Sequence, residues 1–178
     1  MKRLMAISAA LCLTAVPAFA QTAAAGANPY TSAVKAQAEQ VRSLILRTAE
    51  KVPEDLYAFK PTPDVRSLGA LLGHIADAHL LLCGMAEGGK PAFNPVHEKK
   101  TTRAELVAAL KESFTACDKV FAATTDANGT TPVNLFGQPQ NRLGALAMNN
   151  SHTWEHYGNL VTYMRLKNIV PPSSEPAR

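Results

Sequence analysis

From Tyr30 onward, apolar or small positions recur every third or fourth residue: Val34, Ala38, Val41, Leu44, Ile45, Thr48 and Val52. That spacing puts them on one face of a helix, which Pro53 ends. Residues 53–66 hold three prolines with Tyr57 and Phe59 between them. They are expected to form an extended connection pinned by aromatic contacts, not an element of their own. Ser67 is suited to cap a second helix. Its broad apolar face runs through Leu68, Leu71, Leu72, Ile75, Ala78, Leu82 and Met85 to a stop at Gly88-Gly89. After a longer connection at 89–100, Thr101 or Thr102 with Glu105 forms a capping-box pattern. The third helix then carries Leu106, Ala109, Leu110, Phe114, Cys117, Val120 and Phe121. Residues 124–141, rich in Thr, Asn, Gly, Pro and Gln, read as a loop. Asn141 caps a fourth helix reaching to about Lys167, and Pro171-Pro172 close it off. No stretch alternates convincingly as a strand, and no internal repeat stands out. Four helices of ~20 residues in one domain predict an all-α four-helix bundle.

The N-terminus follows a different pattern. Lys2 and Arg3 precede an apolar run from Leu4 to Val16, then Pro17, then Ala18-Phe19-Ala20. This is the layout of a secretory signal peptide cleaved between Ala20 and Gln21. The run is too short for a permanent membrane anchor. Cys12 raises lipidation as an alternative, but Ala9-Ala10-Leu11 does not set a small residue directly before it. The expected organisation is a signal peptide at 1–20, a disordered linker at 21–29, the bundle at 30–170 and a tail at 171–178.

Export changes the charge picture. The precursor has 178 residues and a formal charge of +4, and losing Lys2 and Arg3 leaves +2. The high sequence pI therefore belongs to the precursor, and no basic stripe with interleaved aromatics supports nucleic-acid binding. Two cysteines remain, Cys83 and Cys117. An oxidising compartment permits one disulfide between them, with two buried thiols as the alternative.

Candidate chemistry rests on the histidines His74, His79, His97, His152 and His156. In His152-Thr153-Trp154-Glu155-His156 the two imidazoles lie four residues apart, so both can reach one ion from one helix face. At ~100° per residue they fall outside the main apolar stripe of Leu143, Leu146, Ala147, Trp154, Tyr157, Val161 and Met164. They share a second stripe with Asn149, Leu160 and Tyr163, which faces either solvent or a polar cleft completed by another helix. A third ligand must come from elsewhere. His74 and His79 flank the second helix's apolar face about 140° apart, so at most one of them can join. Periodicity leaves that choice open.

The stretch FKPTPDVRSLGALLGHIADAH, residues 59–79, resembles the loop and second helix of the DinB superfamily, with the first metal ligand at His74. HTWEHYGNLVTYMRLKNIVPPSS, residues 152–174, is similar to the fourth helix and tail of one large DinB-like subgroup. There the H-x-x-E-H-Y-G segment supplies two further ligands, matching His152 and His156. Asn168 stands where that ending commonly has Gly, a position Asn tolerates. The resemblance covers nearly the whole mature chain in helix order.

It implies an up-down-down-up bundle in which residues 89–100 cross over and make the second and third helices parallel. Cys83 and Cys117 then lie at similar heights, which makes their disulfide feasible. It also implies a divalent ion, Zn or Ni, on His74, His152 and His156, with a coordination position left open. Glu155 and Asp77 become candidate catalytic groups, orienting a ligand or moving a proton. His97 in the crossover is either a fourth ligand that closes the site or a solvated loop residue.

Known DinB relatives include thiol-dependent transferases and a thiol-dependent maleylpyruvate isomerase, and many members have no known activity. The expected function is thus a metal-dependent enzyme, hydrolytic or thiol-transferring, acting in the periplasm or outside the cell on a small-molecule substrate or thiol, with no nucleic acid and no permanent membrane anchor. A homodimer stays open, since related bundles often pair. Two other readings compete. One is a non-catalytic periplasmic metal- or ligand-binding bundle. The other takes H-x-x-E-H as an inverted zinc-peptidase motif, which needs a larger mixed fold than this chain offers.

Overall fold

A computed structural model describes residues 27–176 of the chain. The signal peptide and most of the linker expected at 1–29 lie outside the described residues. Four helices carry the architecture: α1 (Pro29–Lys51), α2 (Leu68–Ala86), α3 (Arg103–Ala123) and α4 (Arg142–Leu166).

Their ends follow from local chemistry. Pro29 opens α1, where its missing N–H costs no hydrogen bond. The Asp126 carboxylate accepts from the N–H groups of Tyr30 and Thr31, so a distant loop caps this helix. Ser67 Oγ accepts from Ala70 N, Asn141 Oδ1 accepts from Gly144 N, and Thr102 with Glu105 completes a reciprocal capping box. Gly88, at φ +97°, closes α2 with the Gly89 N–H on the Gly84 carbonyl, as a Schellman motif requires.

Contacts between helix ends give the directions. At one end Gly69 of α2 lies against Leu106 of α3, and near the other Cys83 is bonded to Cys117, so α2 and α3 run parallel. Arg42 pairs with Asp118, and the Val52 carbonyl accepts from Arg103, so α1 opposes α3. Asn150 donates to Val34 O and Lys51 to Val170 O, so α4 follows α1. The bundle is up-down-down-up. α2 is apolar and long enough to cross a membrane by composition, yet most of it is buried inside the bundle. Ile45, Leu72, Ile75, Leu110 and Leu160 form the centre of the core.

Two segments depart from the sequence expectation. Residues Glu54–Ala58 form a short 3-10 helix, because the Tyr57 hydroxyl donates back to the Ala49 carbonyl and folds the chain under α1. The loop at 124–141 contains a hairpin, β1 (Pro132–Leu135) paired antiparallel with β2 (Gln138–Asn141). Its turn places Phe136 at φ +54° and Gly137 at φ +84°. Both positive values match a type I′ turn, for which Asn-Gly is the usual signal. Phe-Gly hides that signal, and the strands are too short for alternation to show.

The disulfide has Cα atoms 5.4 Å apart and closes a 34-residue separation around the crossover. Loop-closure entropy assigns it about 4 kcal/mol. A Cys83→Ala/Cys117→Ala variant is expected to lose most of that in urea unfolding, whereas a loss under ~1 kcal/mol would mean the crossover is held by other contacts.

Candidate metal centre

His74 lies near the middle of α2, and His152 and His156 lie one turn apart on α4, which runs antiparallel to α2. The second histidine stripe of α4 therefore faces a neighbouring helix. His74 Nε2 is 3.3 Å from His152 Nε2, which is 3.0 Å from His156 Nε2. The three side chains bring their ligand atoms within 4.8 Å of one another. Ligands at ~2.0–2.1 Å from one ion stand roughly 2.8–3.4 Å apart for octahedral to tetrahedral angles, so these spacings fit a shared cation.

Hydrogen bonding alone fits less well. Glu98 Oε1 lies 2.6 Å from His74 Nδ1, so a neutral His74 donates there and turns the lone pair of its Nε2 inward. His152 Nε2 then meets two ring nitrogens with at most one proton to share. A cation would satisfy all three lone pairs together.

The surroundings of His152 and His156 favour their neutral rings, the ligating form. Burial, and then repulsion from His152 and His74, lower the pKa of His156 to about 3. Burial and the neighbouring His74 lower that of His152. Glu98 stays ionised: partial burial pushes its pKa up, but hydrogen bonds from Arg66 and His74 outweigh this and hold it below the ordinary glutamate value. Arg66 grips it through Nε at 3.1 Å and Nη2 at 3.3 Å.

The crossover that delivers Glu98 is fastened by Asp77. Its buried carboxylate accepts from the N–H groups of His97 and Glu98, and His97 Nδ1 lies 2.6 Å from Oδ1. Asp77, expected as a catalytic group, is therefore occupied in positioning the crossover. His97 is neither a fourth ligand in the triad nor a solvated loop residue, because it is buried against Asp77. Glu155 is exposed and lines a polar cleft of about 860 Å³ beside His156, with Arg66, Glu98 and Tyr163. Sequence reasoning missed Glu98 and Arg66, since ion pairing across the crossover leaves no periodic trace.

His79 points to a separate place. Its ring is buried, with Nε2 3.0 Å from Thr153 Oγ1 and Nδ1 3.1 Å from Asn149 Nδ2. The Thr153 hydroxyl already donates to Asn149 O, so it accepts from His79 Nε2–H. His79 also adjoins Cys83 and Cys117, but their sulfurs are joined and offer no thiolate to an ion. Both ring nitrogens of this histidine are thus partnered inside the core.

Burial holds the His79 pKa well below its ordinary value, so the folded protein keeps it neutral. The unfolded chain protonates it below about pH 6.5. Stability is then full above that pH and falls as the solution is acidified, by up to ~1.4 kcal/mol per pH unit from this residue. His156 and His152 act with the same sign. The melting temperature of metal-free protein should decline steadily from pH 7 to pH 4, and a flat profile would mean His79 is charged in the fold.

Solved structures that share this fold include two DinB-like proteins. One is a DinB-like protein from Bacillus cereus, 16% identical, with a TM-score of 0.70 over 79% of this chain and 95% of that one. The other is a DinB-like protein from Bacillus subtilis, 22% identical, with a TM-score of 0.63 over 82% and 99%. No curated protein matches. The family model of the DinB superfamily matches residues 37–160, and with the bundle topology and the clustered histidines in place, the chain belongs to the DinB superfamily.

Proposed function

We propose that this protein is exported and binds one divalent ion through His74, His152 and His156 as a metal-dependent enzyme of thiol-transferring or hydrolytic type. The convergence of three Nε2 atoms from two helices carries this reading. When bound, such an ion supplies Lewis acidity that lowers the pKa of a water or thiol beside it.

The chain's own groups fit the remaining tasks. Glu98 fixes the ring orientation of His74, and Arg66 fixes Glu98. Glu155, on the cleft wall next to His156, is placed to take or return a proton. The open cleft favours a small-molecule substrate or thiol over a purely structural ion. A non-catalytic binding bundle would instead call for a fourth protein ligand closing the site, and His97, the sequence candidate, is bonded to Asp77. Imidazole ligands suit Zn and Ni alike. The N-terminal signal pattern and the Cys83–Cys117 disulfide support a periplasmic or secreted location.

Equilibrium dialysis against Zn²⁺ or Ni²⁺, followed by plasma emission analysis, should give one ion per chain. Azide added to cobalt-loaded protein should then shift its visible absorption, since a coordination position is open. No bound ion would defeat the metal reading, and an unresponsive spectrum would favour the closed, non-catalytic one.

A further inference from the structure

A second pocket opens on the other side of the triad from the polar cleft. It encloses about 350 Å³ between α2, the crossover, the hairpin and α4. Ala78, Leu81 and Leu82 line it from α2, Phe93 from the crossover, Phe136 from the hairpin turn and Met148 from α4. The polar side chains on its wall are His74 and His152, two of the three clustered histidines.

Three features of this pocket are not required by the fold. Phe93, Met148 and Phe136 are large apolar side chains left 45%, 45% and 59% exposed, and they converge on one opening. Phe136 holds a left-handed backbone conformation that disfavours bulky residues, in a turn where Asn or Gly would be easier. A residue that is strained and solvent-exposed at once marks a site with a use for its ring. The ring of Phe93 also meets His74 edge-on, at 5.9 Å between centroids, so the apolar wall continues directly into the triad.

The geometry points to a substrate-specificity pocket: it receives an aromatic or branched apolar group of a small molecule whose polar head lies at the His74–His152–His156 centre. This rests on the metal reading above for the head group and on the pocket itself for the tail. The volume exceeds that of a phenyl ring and is too small for a folded peptide segment. The walls carry no Asp, Glu, Lys or Arg side chain, so they select for an apolar tail. The polar cleft beyond His156 remains free for the hydrophilic part or a second reactant. The substrate class is therefore a small amphipathic molecule with its reacting group next to its apolar group.

The two halves can be tested separately. Zinc-loaded protein is titrated calorimetrically with acetohydroxamate and with benzohydroxamate, which share a chelating head and differ in the tail. The phenyl compound should bind at least about tenfold tighter, as expected for burying several more carbons. Phe136→Ala and Leu81→Asn should bring the two affinities together while leaving acetohydroxamate unchanged. Equal binding of both compounds to the unaltered protein would overturn the proposal.

A metal-free arm keeps this result apart from failure of the metal site. Protein labelled at methionine methyl groups is titrated with benzyl alcohol. The Met148 signal should shift saturably, while that of fully buried Met164 stays in place. An unmoved Met148 signal would overturn the pocket assignment whether or not an ion binds. So would a Met148 signal that responds only to protein concentration, because the patch would then be an interface between two copies.

Discussion

A His156→Ala variant is expected to lose its divalent ion while keeping its fold. A four-ligand zinc site is worth roughly 10–16 kcal/mol, or about 2.5–4 kcal/mol per ligand, so one lost imidazole costs on the order of 10²–10³-fold in affinity. The fold has little reason to suffer. The His156 ring makes its close polar contact with His152, its Nδ1 has no hydrogen-bond partner among the described residues, and burial plus repulsion lower its pKa to about 3. Removing it relieves crowding among three imidazoles. Metal analysis should find one ion per chain in the parent protein and almost none in the variant after dialysis against buffered micromolar zinc. Added zinc should raise the melting temperature of the parent only, since an ion stabilises a fold in proportion to its occupancy. Equal metal content in both proteins would refute the site.

The parts of this molecule that could be read from sequence are those written into one helix at a time. Ser67, Thr102 with Glu105, and Asn141 each mark a helix start through a bond formed within three residues, and all three form as expected. The His152–His156 pair is legible for the same reason, being a spacing on a single helix. Choosing His74 over His79 was different, because both flank the same apolar face. Resemblance to the family chose His74, and the structure supplies the physical reason. His79 turns to Thr153 and Asn149, polar residues of α4 that periodicity cannot distinguish from a solvated stripe. Glu98, Arg66 and Asp77 were harder still. Their importance comes from a crossover that folds back onto α2, and such long-range contacts have no local pattern. The hairpin was missed because Phe136 occupies a turn position where a small polar residue would have announced it.

Gly73→Ala should be the most damaging glycine-to-alanine change among the described residues. A Cβ at Gly73 would lie 2.2 Å from the carbonyl oxygen of His97, 2.5 Å from its carbonyl carbon and 2.7 Å from the nitrogen of Glu98. All three are backbone atoms, so no side chain can rotate away. The crossover must lift off α2, and the bonds from His97 and Glu98 to the Asp77 carboxylate lie in its path. Losing two of these charge-assisted bonds costs ~3–6 kcal/mol, against a gain of about 1 kcal/mol from alanine's better helix propensity. A net loss of at least ~2–3 kcal/mol in urea unfolding follows. The same displacement draws Glu98 away from His74, which should weaken metal binding about 10–100-fold even though no ligand has changed. Gly158→Ala provides the contrast: nothing stands within 4 Å of its added carbon on an exposed face of α4. That variant should be stabilised by up to ~1 kcal/mol with unchanged metal affinity. If the two substitutions shifted stability alike, the crossover would not be seated on α2, and Glu98 would have no means of holding the His74 ring.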